Sequence, residues 1–151
     1  MKIYLNSKIY HITIITIFCI LDQFSKIFIN LNQNKLIIKD FLVFKIVLVR
    51  NYGAAFNIFT GSRLFLTLIS IISSIILAYF IFISDSKHIN KYGLSFILAG
   101  TIGNGIDRIF NGYVIDFIKI KFIDFPIFNI ADIVINIGVL ILIISYLKNK
   151  K

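Results

Sequence analysis

Glutamate and tryptophan are absent from the 151-residue chain, and cysteine and proline occur once each. Only 15% of the residues are charged, whereas 58% are hydrophobic and the mean hydropathy is +0.91. So little charge excludes a soluble domain, which needs a far more polar surface. It also excludes disorder, because disordered chains are poor in hydrophobic residues. The lone cysteine, Cys19, cannot form an internal disulfide. It lies in an apolar run with no base beside it and reads as a core or lipid-facing side chain. With two histidines (His11, His88) and one cysteine, the ligands of a Cys/His zinc site are missing. What remains is an integral membrane protein with a single membrane-embedded domain, 1–151.

The net charge is +9, and the seven acids are all aspartates: 22, 40, 85, 107, 116, 124 and 132. The cations do not alternate with stacking aromatics, so no nucleic-acid partner is expected. They read as loop lysines facing anionic lipid headgroups.

Four apolar segments give an α-helical bundle with four transmembrane helices, at about 9–29, 64–83, 92–110 and 130–147. The run Leu64 to Ile83 is twenty residues without a charge, about 30 Å as a helix. The first segment follows Lys2 and Lys8 but lacks a small-residue cleavage site, so it reads as a retained helix rather than a cleaved signal peptide. Four spans put both ends on one side. Segments 1–8, 84–91 and 148–151 carry seven Lys, and the much longer 22–63 and 107–126 carry nine Lys and Arg. The raw count and the density disagree; density favours both termini in the cytoplasm. Phe41 to Val49 reads as a strand ending in a turn at Arg50-Asn51-Tyr52-Gly53, and Tyr113 to Phe122 as a second strand. Together they suggest a small β-rich element outside the bilayer.

In so apolar a chain the polar residues carry the information. Asp22, Ser25 and Lys26 share one helix face; they either pair at a helix end or serve a site. Asn104, Asp107 and Arg108 repeat that spacing, in a stretch where five of the eight glycines fall between 93 and 112. Glycines there permit close helix approach, and the ion pair either fixes packing or orients a substrate. Asn129, Asp132 and Asn136 follow Pro126, with Asn129 placed as an N-cap and Asp132 at N3, where the helix dipole favours an anion. Asp116, alone, reads as a loop acid. Two carboxyls held close share one proton, and such a pair can activate water and protonate a leaving amine. No serine–histidine or cysteine–histidine set competes, since neither histidine lies in a polar cluster. Gly100 to Gly105 lacks the lysine of a phosphate loop.

Four motifs resemble one known family. They are Asp22-Gln23-Phe24-Ser25-Lys26; Asn51-Tyr52-Gly53-Ala54-Ala55-Phe56; Gly103-Asn104-Gly105-Ile106-Asp107-Arg108 with Gly112-Tyr113-Val114-Ile115-Asp116-Phe117; and Phe125-Pro126-Ile127-Phe128-Asn129-Ile130-Ala131-Asp132. In order and spacing these resemble the lipoprotein signal peptidases, or signal peptidase II, over about residues 22 to 138. The resemblance implies an aspartic endopeptidase of the bacterial inner membrane, cutting prolipoproteins N-terminal to a diacylglyceryl-modified cysteine. Asp116 and Asp132 would be the catalytic dyad. Asn51, Gly100, Asn104, Arg108, Asn129 and Ala131 would line the site, with Asp22, Lys26 and Asp107 in support. The resemblance further implies no metal or cofactor, a monomer among membrane lipids, and block by globomycin. Where the family usually has two glycines and an alanine before the Gly-Asn pair, this chain has Ala99-Gly100-Thr101, a change in packing that leaves the acids untouched. The rival reading is a small transporter or ion pathway, since intramembrane Asp and Asn also serve proton relays. A relay needs polar groups at several depths, and here they gather near the ends joined by 22–63 and 107–126.

Overall fold

Inside lipid an apolar segment has to satisfy its own backbone groups, which a helix does. The computed structural model describes residues 2–32, 39–54, 58–84 and 90–150, and the side chains of 8–32, 40–54, 58–84 and 90–150. Its elements run α1 (Lys2–Leu31), β1 (Lys39–Asp40), β2 (Phe44–Asn51), α2 (Arg63–Phe82), α3 (Lys91–Phe110), β3 (Val114–Ile120) and α4 (Ile130–Asn149). Ala55 and Phe56 of the second motif, and Asp85, Lys87 and His88, lie outside the described residues.

Three helical stretches are long and apolar enough to cross a membrane: Lys8–Leu31, α2 and α4. The fourth expected span, 92–110, is a helix but does not join that set, because Asn104, Asp107, Arg108 and four glycines dilute its apolar content. Position compensates for composition. α3 packs against α1, α2 and α4, and buries Ser95, Asn104 and Asp107 along with its glycines. Two of those glycines permit the approach. A Cβ on Gly103 would stand 2.5 Å from Asp22 Oδ2, and one on Gly100 would overlap the carbonyl of Ala131. The outward faces of α1, α2 and α4 carry large exposed apolar side chains such as Ile20, Ile75 and Leu140.

Two apolar clusters brace the bundle. Ile81, Leu94 and Leu98 pack with Ile15 and Leu142. Ile29 packs with Ile115 and Phe117 and so docks the sheet on the end of α1.

The sheet is antiparallel, with strand order β1-β2-β3. The expected strand 41–49 begins later, at Phe44, after a turn closed by the Phe41 amide donating to the Phe44 carbonyl at 2.9 Å. It also runs on through Arg50 and Asn51, which the sequence reading assigned to a turn, because Ile115 and Val114 of β3 pair with them. A register shift between Ile46 and Val49 sets Val49 opposite Asp116. Such an irregularity re-aims the side chains beyond it. Phe128 extends the far edge by bridging to Ile118, which brings the entry of α4 beside β3.

Candidate active site

At the junction of α1, α3, β3 and α4 lies one continuous network of buried polar side chains. Asn129, fully buried, caps α4. Its Oδ1 accepts from the Asp132 amide at 3.1 Å, while Asp132 Oδ2 accepts from the Asn129 amide at 3.1 Å. The break at Pro126 indicates Asn129 as the N-cap and Asp132 at N3; the structure adds the reciprocal bond that makes a capping box. The same Asn129 donates Nδ2 to Asp116 Oδ1 at 2.7 Å and to Asn104 Oδ1 at 3.1 Å. Asn104 Nδ2 donates to Asp132 Oδ1 at 2.9 Å, and Asn51 Nδ2 to Asp116 Oδ2 at 2.9 Å. All four carboxylate oxygens of Asp116 and Asp132 therefore accept one hydrogen bond each.

Lys26 is the charged hub behind this layer. With 1% of its side chain exposed, it pairs with Asp22 Oδ2 at 2.8 Å and Asp107 Oδ2 at 3.0 Å, and donates to Asn104 Oδ1 at 2.9 Å. Its three protons are thus committed, and all three acceptors are used. Of the two readings left open for Asp22 and Lys26, the pairing is formed, and through Asn104 it joins the network around Asp116 and Asp132. Because a lysine can only donate, Lys26 obliges Asn104 to turn its carbonyl inward and its NH2 toward Asp132. Asn129 is oriented in the same way by the α4 amide that its carbonyl accepts. Removing the lysine would leave two carboxylates buried and unpaired, the costly half of a broken ion pair.

Asp22 and Asp107 reach further. Asp22 Oδ1 accepts from the Ala131 amide at 2.9 Å, and Asp107 Oδ2 from the Ile115 amide at 3.1 Å. Each aspartate thus holds the backbone next to one of the other two, Asp132 and Asp116 respectively. Gln23, which the sequence reading left out of the site, donates to the Gly103 carbonyl at 3.0 Å and to Asp22 Oδ2 at 3.2 Å. An amide beside Asp22 in an apolar stretch was the available signal.

The two carboxylates differ in surroundings. Asp116 is buried and Asp132 only half-buried. Burial pushes the Asp116 carboxyl up to about 6; the negative charge of Asp132 adds to the rise, and the hydrogen bonds from Asn51 and Asn129 oppose it. Arg108 lies within electrostatic reach of Asp132, Asp116 and Asp107. Its own contacts are long, 3.5 Å to both Ser70 Oγ and the Gly53 carbonyl. Gly100 and Ala131 form the seam where α3 meets α4, with the Ala131 amide held by the Asp22 carboxylate.

Not every polar group joins the network. His11, expected outside any polar cluster, is buried and joined to Ser95 Oγ at 3.0 Å, with Tyr92 beside its ring. Ser95 also donates to the Lys91 carbonyl, so this pair is closed locally. Cys19 Sγ meets the Ala99 carbonyl at 3.2 Å. Among the described residues no three His, Cys, Asp or Glu come together as a metal site.

Comparison with known proteins gives the family and the fold. The model of the family described as Signal peptidase (SPase) II matches residues 14–148. The lipoprotein signal peptidase of Clostridium tetani is 39% identical over 145 residues, covering 91% of this chain and 92% of the relative. That of Enterococcus faecalis is 39% identical over 136 residues, covering 87% and 83%. That of Lactococcus lactis subsp. cremoris is 35% identical over 148 residues, covering 95% and 97%. Two solved structures described as bacterial membrane enzymes superpose closely. One has a TM-score of 0.85 at 37% identity, covering 94% of this chain and 90% of the other. The second has a TM-score of 0.81 at 38% identity, covering 92% and 93%.

Proposed function

The chain belongs to the signal peptidase II family, and from that premise we propose that it is an aspartic endopeptidase of the bacterial inner membrane. It removes signal peptides from diacylglyceryl-modified prolipoproteins by cutting on the N-terminal side of the lipidated cysteine. The chain forms one domain with four spans: α3 is the fourth, sheltered by the other helices, and both termini are cytoplasmic. The sheet and the polar network then lie at the outer surface. The protein acts as a monomer without metal or cofactor, and globomycin blocks the site.

The reaction uses Asp116 and Asp132 as a pair. The helix dipole at the start of α4 favours the anion on Asp132, and burial favours the proton on Asp116. Water between them gives a proton to Asp132 as its oxygen bonds to the scissile carbonyl carbon. The Asp116 proton passes to the carbonyl oxygen, and a gem-diol forms. On collapse, Asp116 takes a proton back from a diol hydroxyl, Asp132 protonates the amine nitrogen, and the C–N bond breaks. The pair is restored. Arg108 and the amides of Asn51 and Asn104 orient the substrate chain and the carboxylates. Lipid chains of the substrate remain in the bilayer.

The observation that carries this reading is the Asn129 amide. It bonds directly to Asp116 while its cap holds Asp132, so the two acids are fixed by one side chain. The test is cleavage of a lipid-modified prolipoprotein by the purified protein in detergent. Asp116→Asn and Asp132→Asn run in parallel, with globomycin as a control. Cleavage by the parent that is lost in both variants supports the reading. An inactive parent beside an active relative, or a fully active Asp116→Asn, overturns it.

A further inference from the structure

A helix ends with four backbone carbonyls that no residue of its own ladder can satisfy. In α3 those carbonyls lie next to the site, and their partners come from two directions. The Asp107 carbonyl accepts from the amides of Asn111 at 2.8 Å and Gly112 at 3.2 Å. The next two, on Arg108 and Ile109, accept from Arg63, the first residue of α2: Nε to Arg108 at 3.2 Å and Nη2 to Ile109 at 2.7 Å. A guanidinium is suited to this, because its donors lie in a fixed fork and its charge meets the negative end of the helix dipole.

The same guanidinium lies against the turn that follows. Gly112 has φ +81°, and a Cβ there would stand 3.1 Å from Arg63 Cζ and from Nη1. The chain reverses at this glycine and enters β3, where Ile115 donates to Asp107 and the next residue is Asp116. Arg63 therefore clasps the corner from which Asp107 and Arg108 leave on one side and Asp116 on the other. No function assigned above uses it.

We propose that Arg63 is a positioning residue for the hydrolytic pair, acting through the α3–β3 corner to hold Asp116 against Asp132. This rests on the peptidase reading. The residue touches none of the reacting groups. Its effect comes from fixing the α3 terminus, and misplacement of a reacting group by about 1 Å costs on the order of 100-fold in rate.

The test is steady-state cleavage of a lipid-modified prolipoprotein by full-length protein in detergent micelles. It compares the parent with Arg63→Gln, Arg63→Lys and Gly112→Ala, each assayed well below its own melting temperature and checked for helix content. Arg63→Gln lowers kcat about tenfold or more and leaves KM within about twofold. It also displaces the pH limb set by Asp116, which a loss of fold alone does not do. Arg63→Lys recovers part of kcat, since an ammonium keeps the charge but not the fork. Gly112→Ala repeats the kcat loss from the other side of the contact. The proposal is overturned if folded Arg63→Gln keeps kcat within twofold of the parent. It is equally overturned if the loss falls on KM alone, which would make Arg63 a substrate contact. An active parent with inactive Asp116→Asn keeps the peptidase reading intact whichever way Arg63 falls; an inactive parent removes both.

Discussion

α2 and α3 are each twenty residues long and pack against one another, yet they are built on opposite rules. α2 is uncharged after Arg63 and buries only Leu66, Ser70 and Ile81. α3 buries ten residues, among them four glycines, an asparagine and an aspartate. By composition α2 qualifies as a membrane span and α3 does not. The difference shows that hydropathy measures what a helix offers to lipid, and α3 offers little because its neighbours cover it. Polar groups gain a place in such a bundle when glycine brings a second helix close enough to complete every hydrogen bond.

That contrast can be broken most sharply at the acids. Asp116→Asn and Asp132→Asn each reduce kcat at least about a thousandfold in the prolipoprotein cleavage assay, on the scale of losing a member of a catalytic set, with the helix content unchanged by circular dichroism. The next largest effect is Lys26→Met. Leaving Asp22 and Asp107 unpaired costs about 3–5 kcal/mol, seen as a lowered midpoint in denaturation from micelles, and cleavage is lost with it. Gly100→Ala pushes a methyl into the Ala131 carbonyl and costs about 1–3 kcal/mol by overpacking, read as a lower Tm. Ser74→Ala on α2 removes only a hydroxyl bonded to the Ser70 carbonyl one turn back. It stays within about 0.5 kcal/mol of the parent, with unchanged cleavage. A Ser74 variant as damaging as the Gly100 variant would erase the distinction between the two helices.

A pH profile sharpens the comparison further. Burial pushes the Asp116 carboxyl up to about 6, and in the proposed mechanism the singly protonated pair is the reactive form. kcat/KM reports free-enzyme ionisations, so it falls as pH rises through about 6. Substrate that excludes water from Asp116 raises the limb seen in kcat. A kcat/KM that is flat from pH 5 to 8 removes Asp116 as the proton carrier.

α2 and α4 were legible because long apolar runs leave the backbone no alternative in lipid, and α3 because its stretch from Tyr92 to Ile106 carries no charge. The α4 cap was legible because Pro126, Asn129 and Asp132 lie at fixed offsets along one chain. The sheet was legible as two β-branched runs, though not its limits, since β2 keeps Arg50 and Asn51 only because β3 lies opposite them. In the site, Asp22 and Lys26 announce themselves one helical turn apart. Asp116 does not: it is one acid in an apolar strand, and without the motif resemblance nothing local separates it from a loop residue. The Arg63 contact with the end of α3 crosses 45 residues and has no sequence periodicity to betray it. Gln23 likewise depends on the Gly103 carbonyl that faces it, and Asn51 on the Asp116 carboxylate 65 residues away.

The Asn129 side chain has a further consequence for how the molecule is made. It is at once the cap of α4, the partner of Asp116 and the partner of Asn104. A ribosome that has delivered α1, α2, α3 and the sheet has delivered Asp116, Asn104 and Lys26, but neither Asn129 nor Asp132. The last helix in chain order brings both, and capping it closes the network in the same step. On the proposed mechanism, the nascent chain therefore carries half of its hydrolytic pair through most of its synthesis and insertion. The polar network around Asp116 closes only when α4 arrives.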